Sequence, residues 1–283
     1  MQVKFLLRLF GIFICSVNIA KGSSYADEVK TLLRKHFNNE NNICWSTATL
    51  KANQYKGDEN KSMAITLINV YTQECYQYND NTNVWPFYRA LNTKLRAKTS
   101  ENIWLDTESL LNQGLEMIGL DTWDLLYRSC FCNNIKKGST IIVDDFWSTS
   151  LEARASNNFL NKDKIFFQIV DARRGANIRN YSTYSGEKEI LLQSKSEFYV
   201  TEYFTDATGI KNKKEGVNES GIVWNDMKAF AVVTSNIPTR AVRSVSNYCD
   251  CLAGTTSDAS MPARRSSALF VIVFMIVRYM RTK

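Results

Sequence analysis

Apolar residues recur at helical spacing through the first third of the chain. Tyr25 to Phe37 is a first helical segment, with Ser24 and Asp27 near its start. Ser62 to Tyr71 is a second. Trp85 to Lys98 is a third and opens with Pro86, where a first-turn proline is tolerated. Asp106 to Ile118 is a fourth: Leu110, Leu111, Leu115 and Ile118 share one face, and Gly119 ends it.

From about residue 122 the pattern changes to short apolar runs rich in β-branched and aromatic residues. Strands are predicted at Trp123–Arg128, Ser139–Val143, Ile165–Val170, Glu189–Leu192, Phe198–Phe204 and Ala229–Thr234. A helix over Leu151–Phe159 interrupts them. Helices first and strands later argue an α+β protein, not a βαβ alternation. No internal repeat is visible, and no G-x-G-x-x-G supports a Rossmann dinucleotide site.

The two ends read as addresses. Residues 1–22 carry early positive charges, an apolar run and small residues near Ala20 and Gly22, the pattern of a secretory signal peptide. Ala268–Val277 is apolar but far short of the roughly 20 residues that span a bilayer. Small residues from Gly254 to Ser260 and a polar spacer precede it, the layout of a cleaved lipid-anchor signal. The basic ending Arg278–Lys283 departs from that layout. The expected organisation is a signal at 1–22, a helical part at 23–120, a β core at 121–251, and a spacer with anchor signal at 252–283. A lipid anchor, not a spanning helix, would hold the protein at the cell surface.

Charge and composition then narrow the chemistry. The formal charge is +7, but residues 1–22 carry three of the excess cations and residues 261–283 carry five, so the body is at −1. A nucleic-acid binder concentrates basic charge on its folded part, so no nucleic-acid partner is expected. Lys211, Lys213 and Lys214 form a local basic group. The chain has one histidine, His36, within an early helix. Its place there argues a structural role, multi-histidine zinc sites are excluded, and no metal is expected. Beyond Cys15 in the signal, six cysteines remain at 44, 75, 130, 132, 249 and 251. They suit export, and their pairing is not readable from spacing. Cys44 with Cys249 or Cys251 would staple the ends of the domain. Asn60, Asn180 and Asn218 stand in glycan-acceptor triplets.

Three stretches carry the candidate chemistry: Leu126-Tyr127-Arg128 at a strand end, Phe146-Trp147-Ser148-Thr149-Ser150-Leu151 leading into a helix, and Tyr184-Ser185-Gly186-Glu187-Lys188-Glu189. If the last continues as a strand, Glu187 and Glu189 share a face about 7 Å apart, with Lys188 on the other. Ser148 and Ser150 share a face in the same way. Arginine, hydroxyls and two carboxylates suit a dinucleotide whose glycosidic bond is to be broken. Arginine offers a rigid fork of donors to phosphate or ribose. A fixed carboxylate stabilises the oxocarbenium character left when nicotinamide departs. Nicotinamide leaves as a neutral ring, so no acid catalyst and no histidine are needed.

The segment from Leu126 to Phe204 resembles the vertebrate-type, lipid-anchored, arginine-specific ecto-ADP-ribosyltransferases and their Arg–Ser–Glu triad. The quoted stretches, together with Gly175-Ala-Asn-Ile178 and Val70-Tyr71-Thr72, carry the likeness. It implies a split β-sheet core and NAD as a consumed substrate, with no permanently bound cofactor. Arg128, Ser148, Ser150 and Glu189 would contact NAD, Glu189 as the catalytic glutamate. Glu187 would engage the arginine of a target protein. The loop Tyr181–Gly186 would face that target, with Tyr184 as an aromatic contact. Ser129, where the family carries glycine, is a departure. An NAD glycohydrolase and an inactive, disulfide-stapled surface binding module are the alternative readings.

Overall fold

The computed structural model describes residues 23–37, 42–74, 78–79, 84–217, 219–239 and 249–250. The signal and anchor segments, Asn218, Cys75 and Cys251 lie outside the described residues.

Helix α1 (Tyr25–Phe37) has Asp27 and Glu28 in its first turn and Arg34, Lys35 and His36 in its last, matching the helix dipole at both ends. Helix α2 (Ile43–Ala52) was not legible as a periodic segment. Asn42 caps it, its Oδ1 accepting from the Cys44 amide at 2.9 Å. Helix α3 (Glu59–Thr72) starts a turn before the expected Ser62, because Asp58 accepts from the Lys61 amide at 3.0 Å. A two-residue ribbon, β1 (Tyr78–Asn79) with β2 (Val84–Trp85), leads into α4 (Phe87–Arg96), with Pro86 just before it. Helix α5 (Asn102–Ile118) stops at Gly119, whose φ of 103° suits a residue without Cβ.

The remaining elements are β3 (Leu120–Cys132), β4 (Thr140–Val143), β5 (Trp147–Ser150), the short α6 (Ala153–Asn157), β6 (Ile165–Asn177), β7 (Glu189–Leu192), β8 (Ser196–Phe204), α7 (Ala207–Glu215), β9 (Ala229–Thr234) and β10 (Cys249–Asp250). The α+β expectation holds: helices precede a sheet ordered β10-β3-β5-β7-β6-β9-β8-β4. Only the β6–β9 pair among these neighbours is parallel. Two strands run well past their expected ends. As a result Arg128 stands inside β3 rather than at its terminus.

The long strand β6 splits the sheet. Its first half pairs with β9, and Gly175–Asn177 pair with β7. Along its other edge β6 pairs with β3 over nearly its whole length. Since β3 also meets β5, and β5 meets β7, the four strands β3, β5, β7 and β6 close on one another. Gly175 sits at this closure. A Cβ there would lie 2.8 Å from Ile190, 2.9 Å from Leu192 and 2.9 Å from Trp123, so only a glycine lets the strands approach this closely.

One face of β7 and the end of β6 bury Leu191, Ala176 and Ile178 under the α1–α5 layer. The other face packs Ile190 and Leu192 with Trp147, Phe167 and Phe198. Cys44 and Cys132 are each disulfide-bonded. The Cys130 thiol is buried with its Sγ 4.0 Å from that of Cys132. No described helix is long and apolar enough to cross a membrane.

Candidate active site

Strands β5 and β7 set the centre of the site. Their antiparallel register pairs Ser150 with Glu189 and Ser148 with Leu191. Residues opposite one another share a face, and alternation adds every second neighbour. Ser148, Ser150 and Glu189 therefore stand on one face. Glu189 is 8% exposed. The Ser182 hydroxyl hydrogen-bonds its carboxylate at 3.3 Å, and the Ser148 hydroxyl acts on it from β5. Burial pushes its carboxyl up from 4.5 to about 7, and the neighbouring Glu187 carboxylate adds to the rise. The two hydroxyls and the Arg128 guanidinium act in the opposite sense.

Glu187 is close, but not in the way expected. It does not continue the strand: Ser185–Glu187 form a 3-10 turn, and Lys188 takes a left-handed conformation with φ of 47°. The strand starts only at Glu189. Non-local bonds force this break. Ser150 Oγ donates to the Glu187 carbonyl at 2.7 Å, and the Leu151 amide donates to the Lys188 carbonyl at 3.4 Å. Lys188 Nζ is paired with Glu152. Glu187 thus reaches Glu189 from a turn at the rim, half-buried, not from the same strand face. Ser150 serves this turn: its hydroxyl also accepts from the Glu152 amide at 3.0 Å.

Arg128 lies with its guanidinium 5.3 Å from the centre of the Trp147 ring and donates to the Ser148 carbonyl. It therefore braces β5 while lending positive potential to Glu189. Neighbours on a strand point to opposite faces, so Ser129 does not share the face of Arg128. The Ser129 side chain is buried, with its Oγ lacking a hydrogen-bond partner among the described residues.

Beside the turn lie two polar concavities. One, of about 370 Å³, is lined by Tyr127, Leu151, Glu152, Arg154, Glu219 and Ser220. The other, of about 210 Å³, is lined by Glu152, Arg154, Asn158, Phe159, Gly186 and Glu187 among others. Both share Glu152 and Arg154, and Glu187 opens on the second. The Glu189 carboxylate lines neither.

Sequence reading missed the polar support beneath this centre. Asn69 Nδ2 donates to the Tyr181 carbonyl at 2.5 Å, and Gln73 holds the Asn69 Oδ1 at 2.6 Å. Asn92 donates to the Tyr71 hydroxyl at 3.0 Å and to the Phe146 carbonyl at 3.4 Å, fixing the entry to β5. Arg96 and Asp145 form a buried ion pair at 2.5 Å, also at that entry. Burial still pushes the Asp145 carboxyl up to about 6. A buried polar run in α3 was the available signal, but its partners are distant in sequence. His36 stands apart from the site. Its ring packs 4.9 Å from Trp104 and 5.0 Å from Phe87, with Nε2 2.9 Å from Thr107 Oγ1. Thr107 spends its own hydrogen on the Ile103 carbonyl, so Nε2 is the protonated nitrogen. Burial depresses its pKa to about 4, which keeps the ring neutral. Among the described residues no group of three or more metal-ligating side chains forms a metal site.

Residues 129–223 match the family model of ADP-ribosyltransferase exoenzymes. Among solved structures, exoenzyme S from Pseudomonas aeruginosa, seen with 14-3-3 protein and carba-NAD, is similar at 14% identity and a TM-score of 0.50. The match covers 85% of this chain and 96% of that one. The chain has the ADP-ribosyltransferase fold. The effector XopAI from Xanthomonas axonopodis pv. citri is similar at 11% identity and a TM-score of 0.50, over 75% of this chain and 83% of its own. The eukaryotic mono-ADP-ribosyltransferase ART2.2 covers 81% of this chain and 91% of its own, at 15% identity and a TM-score of 0.48. No curated protein sequence matches. ADP-ribosyltransferases consume NAD as a substrate and need no metal, and the family match spans Ser148, Glu187 and Glu189, with Arg128 just outside it.

Proposed function

We propose that this protein transfers ADP-ribose from NAD to arginine side chains of other proteins. The observation that carries this reading is the Glu189 carboxylate, buried and hydrogen-bonded by the Ser182 hydroxyl, with Ser148 and Arg128 acting on it and a second carboxylate, Glu187, at the rim. In the reaction the bond between ribose C1′ and the nicotinamide nitrogen breaks, and its electron pair leaves with nicotinamide. Glu189 stabilises the positive charge that develops on the ribose. The acceptor guanidinium nitrogen then bonds to C1′ and loses a proton. Glu187 hydrogen-bonds that guanidinium and favours it over water, a role supported by its exposure on the concavity beside Phe159 and Gly186.

Incubation of the purified protein with NAD labelled in its adenylate part and an arginine-rich protein acceptor tests this directly. Label on arginine supports transfer. Free ADP-ribose alone identifies an NAD glycohydrolase, and absence of turnover identifies a binding module. The pH dependence is a further expected outcome. Only ionised Glu189 stabilises a cation, and its carboxyl titrates near 7 in the free protein. The kcat/KM for NAD should therefore rise with pH through about 7 and level off above it. A profile flat from pH 5 to 9 would remove Glu189 from the chemistry.

We also propose export and surface anchoring, on the strength of the apolar segments at 1–22 and 268–277, and the arginine acceptors would then be extracellular or surface proteins. Release of the protein from expressing cells by a phospholipase that cuts lipid anchors is the corresponding test.

A further inference from the structure

The turn 178–184 meets Glu189 twice. The Ile178 amide donates to the Glu189 carbonyl at 3.2 Å, and Ser182 Oγ donates to its carboxylate Oε2 at 3.3 Å. Ser182 is 1% exposed. The Tyr184 amide donates to Ser182 Oγ at 3.1 Å. That amide occupies one lone pair of the hydroxyl and directs its hydrogen at the carboxylate. The turn itself is held from outside. Asn69 takes the Tyr181 carbonyl, and Thr72 Oγ1 accepts from the Thr183 amide at 3.2 Å. Both anchors come from the last turn of α3, so the hydroxyl is positioned by a rigid helix rather than by the loop alone.

We infer that Ser182 is a positioning residue for Glu189, its hydroxyl holding one carboxylate oxygen so that the other faces the reacting ribose. This inference rests on the functional reading above. The Ser148 hydroxyl acts on the same carboxylate from β5, while the hydrogen bond to Oε2 comes from Ser182. A hydrogen bond to an ionised group favours the ionised form. The other charged or titratable groups acting on Glu189 are Glu187 from the turn, Arg128 from β3 and Tyr71 from α3, and none of them supplies this contact.

Ser182→Ala, Ser182→Thr and Asn180→Gln separate the possibilities. Ser182 is also the hydroxyl residue of the glycan-acceptor triplet at Asn180, and Asn180→Gln removes the triplet while leaving the hydroxyl in place. Ser182→Ala is expected to lower kcat for NAD consumption about tenfold with KM for NAD within about twofold. The acid limb of its pH profile should move up by about one pH unit. Ser182→Thr should restore most of kcat, and Asn180→Gln should match the parent. Direct titration of the Glu189 carboxyl by carbon-13 NMR supplies a readout independent of turnover, and Ser182→Ala should raise its midpoint. An unmoved midpoint, or equal loss in Ser182→Thr and Ser182→Ala at unchanged melting temperature, overturns the inference. A parent protein that consumes no NAD overturns the functional reading instead, and the carboxyl titration still decides whether Ser182 governs Glu189.

Discussion

Glu189→Gln should lower NAD turnover by about a thousandfold and yet make the folded protein more stable at pH 8. The loss of rate follows from removing the one buried negative charge set to meet the ribose cation, a contribution of about 10²- to 10³-fold for a preorganised electrostatic group. The gain in stability follows from linkage. Glu189 titrates near 7 in the folded chain against 4.5 ordinarily, so the folded state holds its proton more tightly than the unfolded one. Stability tied to this group is fully present at low pH and falls as pH rises from about 4.5 through about 7. A neutral amide escapes that cost. The variant should melt higher than the parent at pH 8, by on the order of 1–3 kcal/mol in unfolding free energy, and the gap should close near pH 4. Thermal melts at the two pH values alongside an NAD-consumption assay check both halves. A variant that is inactive and less stable at pH 8 would mean that Glu189 is a structural carboxylate.

Glu187→Gln should divide the two reactions. The carboxylate at the rim is placed to accept charge-assisted hydrogen bonds from a guanidinium, worth about 1.5–3 kcal/mol. Its loss should lower arginine transfer roughly 10- to 100-fold, while NAD hydrolysis changes by less than about threefold. Quantifying ADP-ribosyl-arginine and free ADP-ribose from one incubation gives the ratio. If both products fall together, Glu187 acts on NAD and not on the acceptor. Because Glu187 sits in a turn rather than in β7, the substitution should leave the sheet and the melting temperature nearly unchanged.

Much of the frame follows from the chain alone. The strands Glu189–Leu192 and Ala229–Thr234 have the predicted bounds, because continuous apolar runs between turn residues admit few alternatives. The end of α5 at Gly119 follows from local conformational preference. The structural role of His36 agrees with its place in a helix facing an aromatic cluster. Helix α2 escaped because its capping residue, Asn42, was its clearest local signal. The longer extents of β3 and β6 escaped because their paired ends carry polar residues such as Asp121 and Asn177, which strand pairing holds in place.

The candidate site shows where local reading ends. The chemical identities, a serine pair and two nearby acids, were present in the sequence, and alternation along a strand, a local property, placed the two serines on one face. The Glu187-Lys188-Glu189 alternation also suggested a strand, and there it misled. Bonds from Ser150 and Leu151, on another strand and its exit, break the run at Lys188 and turn Glu187 to the rim. Ser182 and the Arg96–Asp145 pair carried no local mark of a role in the site, and Asn69 only its place among the polar residues of α3. Their partners lie between 7 and 112 residues away. Sequence by itself determined which residues were available and which segments would bury apolar surface. Tertiary structure decided which carboxylate lost its water and which kept it, because desolvation depends on what closes over a group, and that comes from elsewhere in the chain.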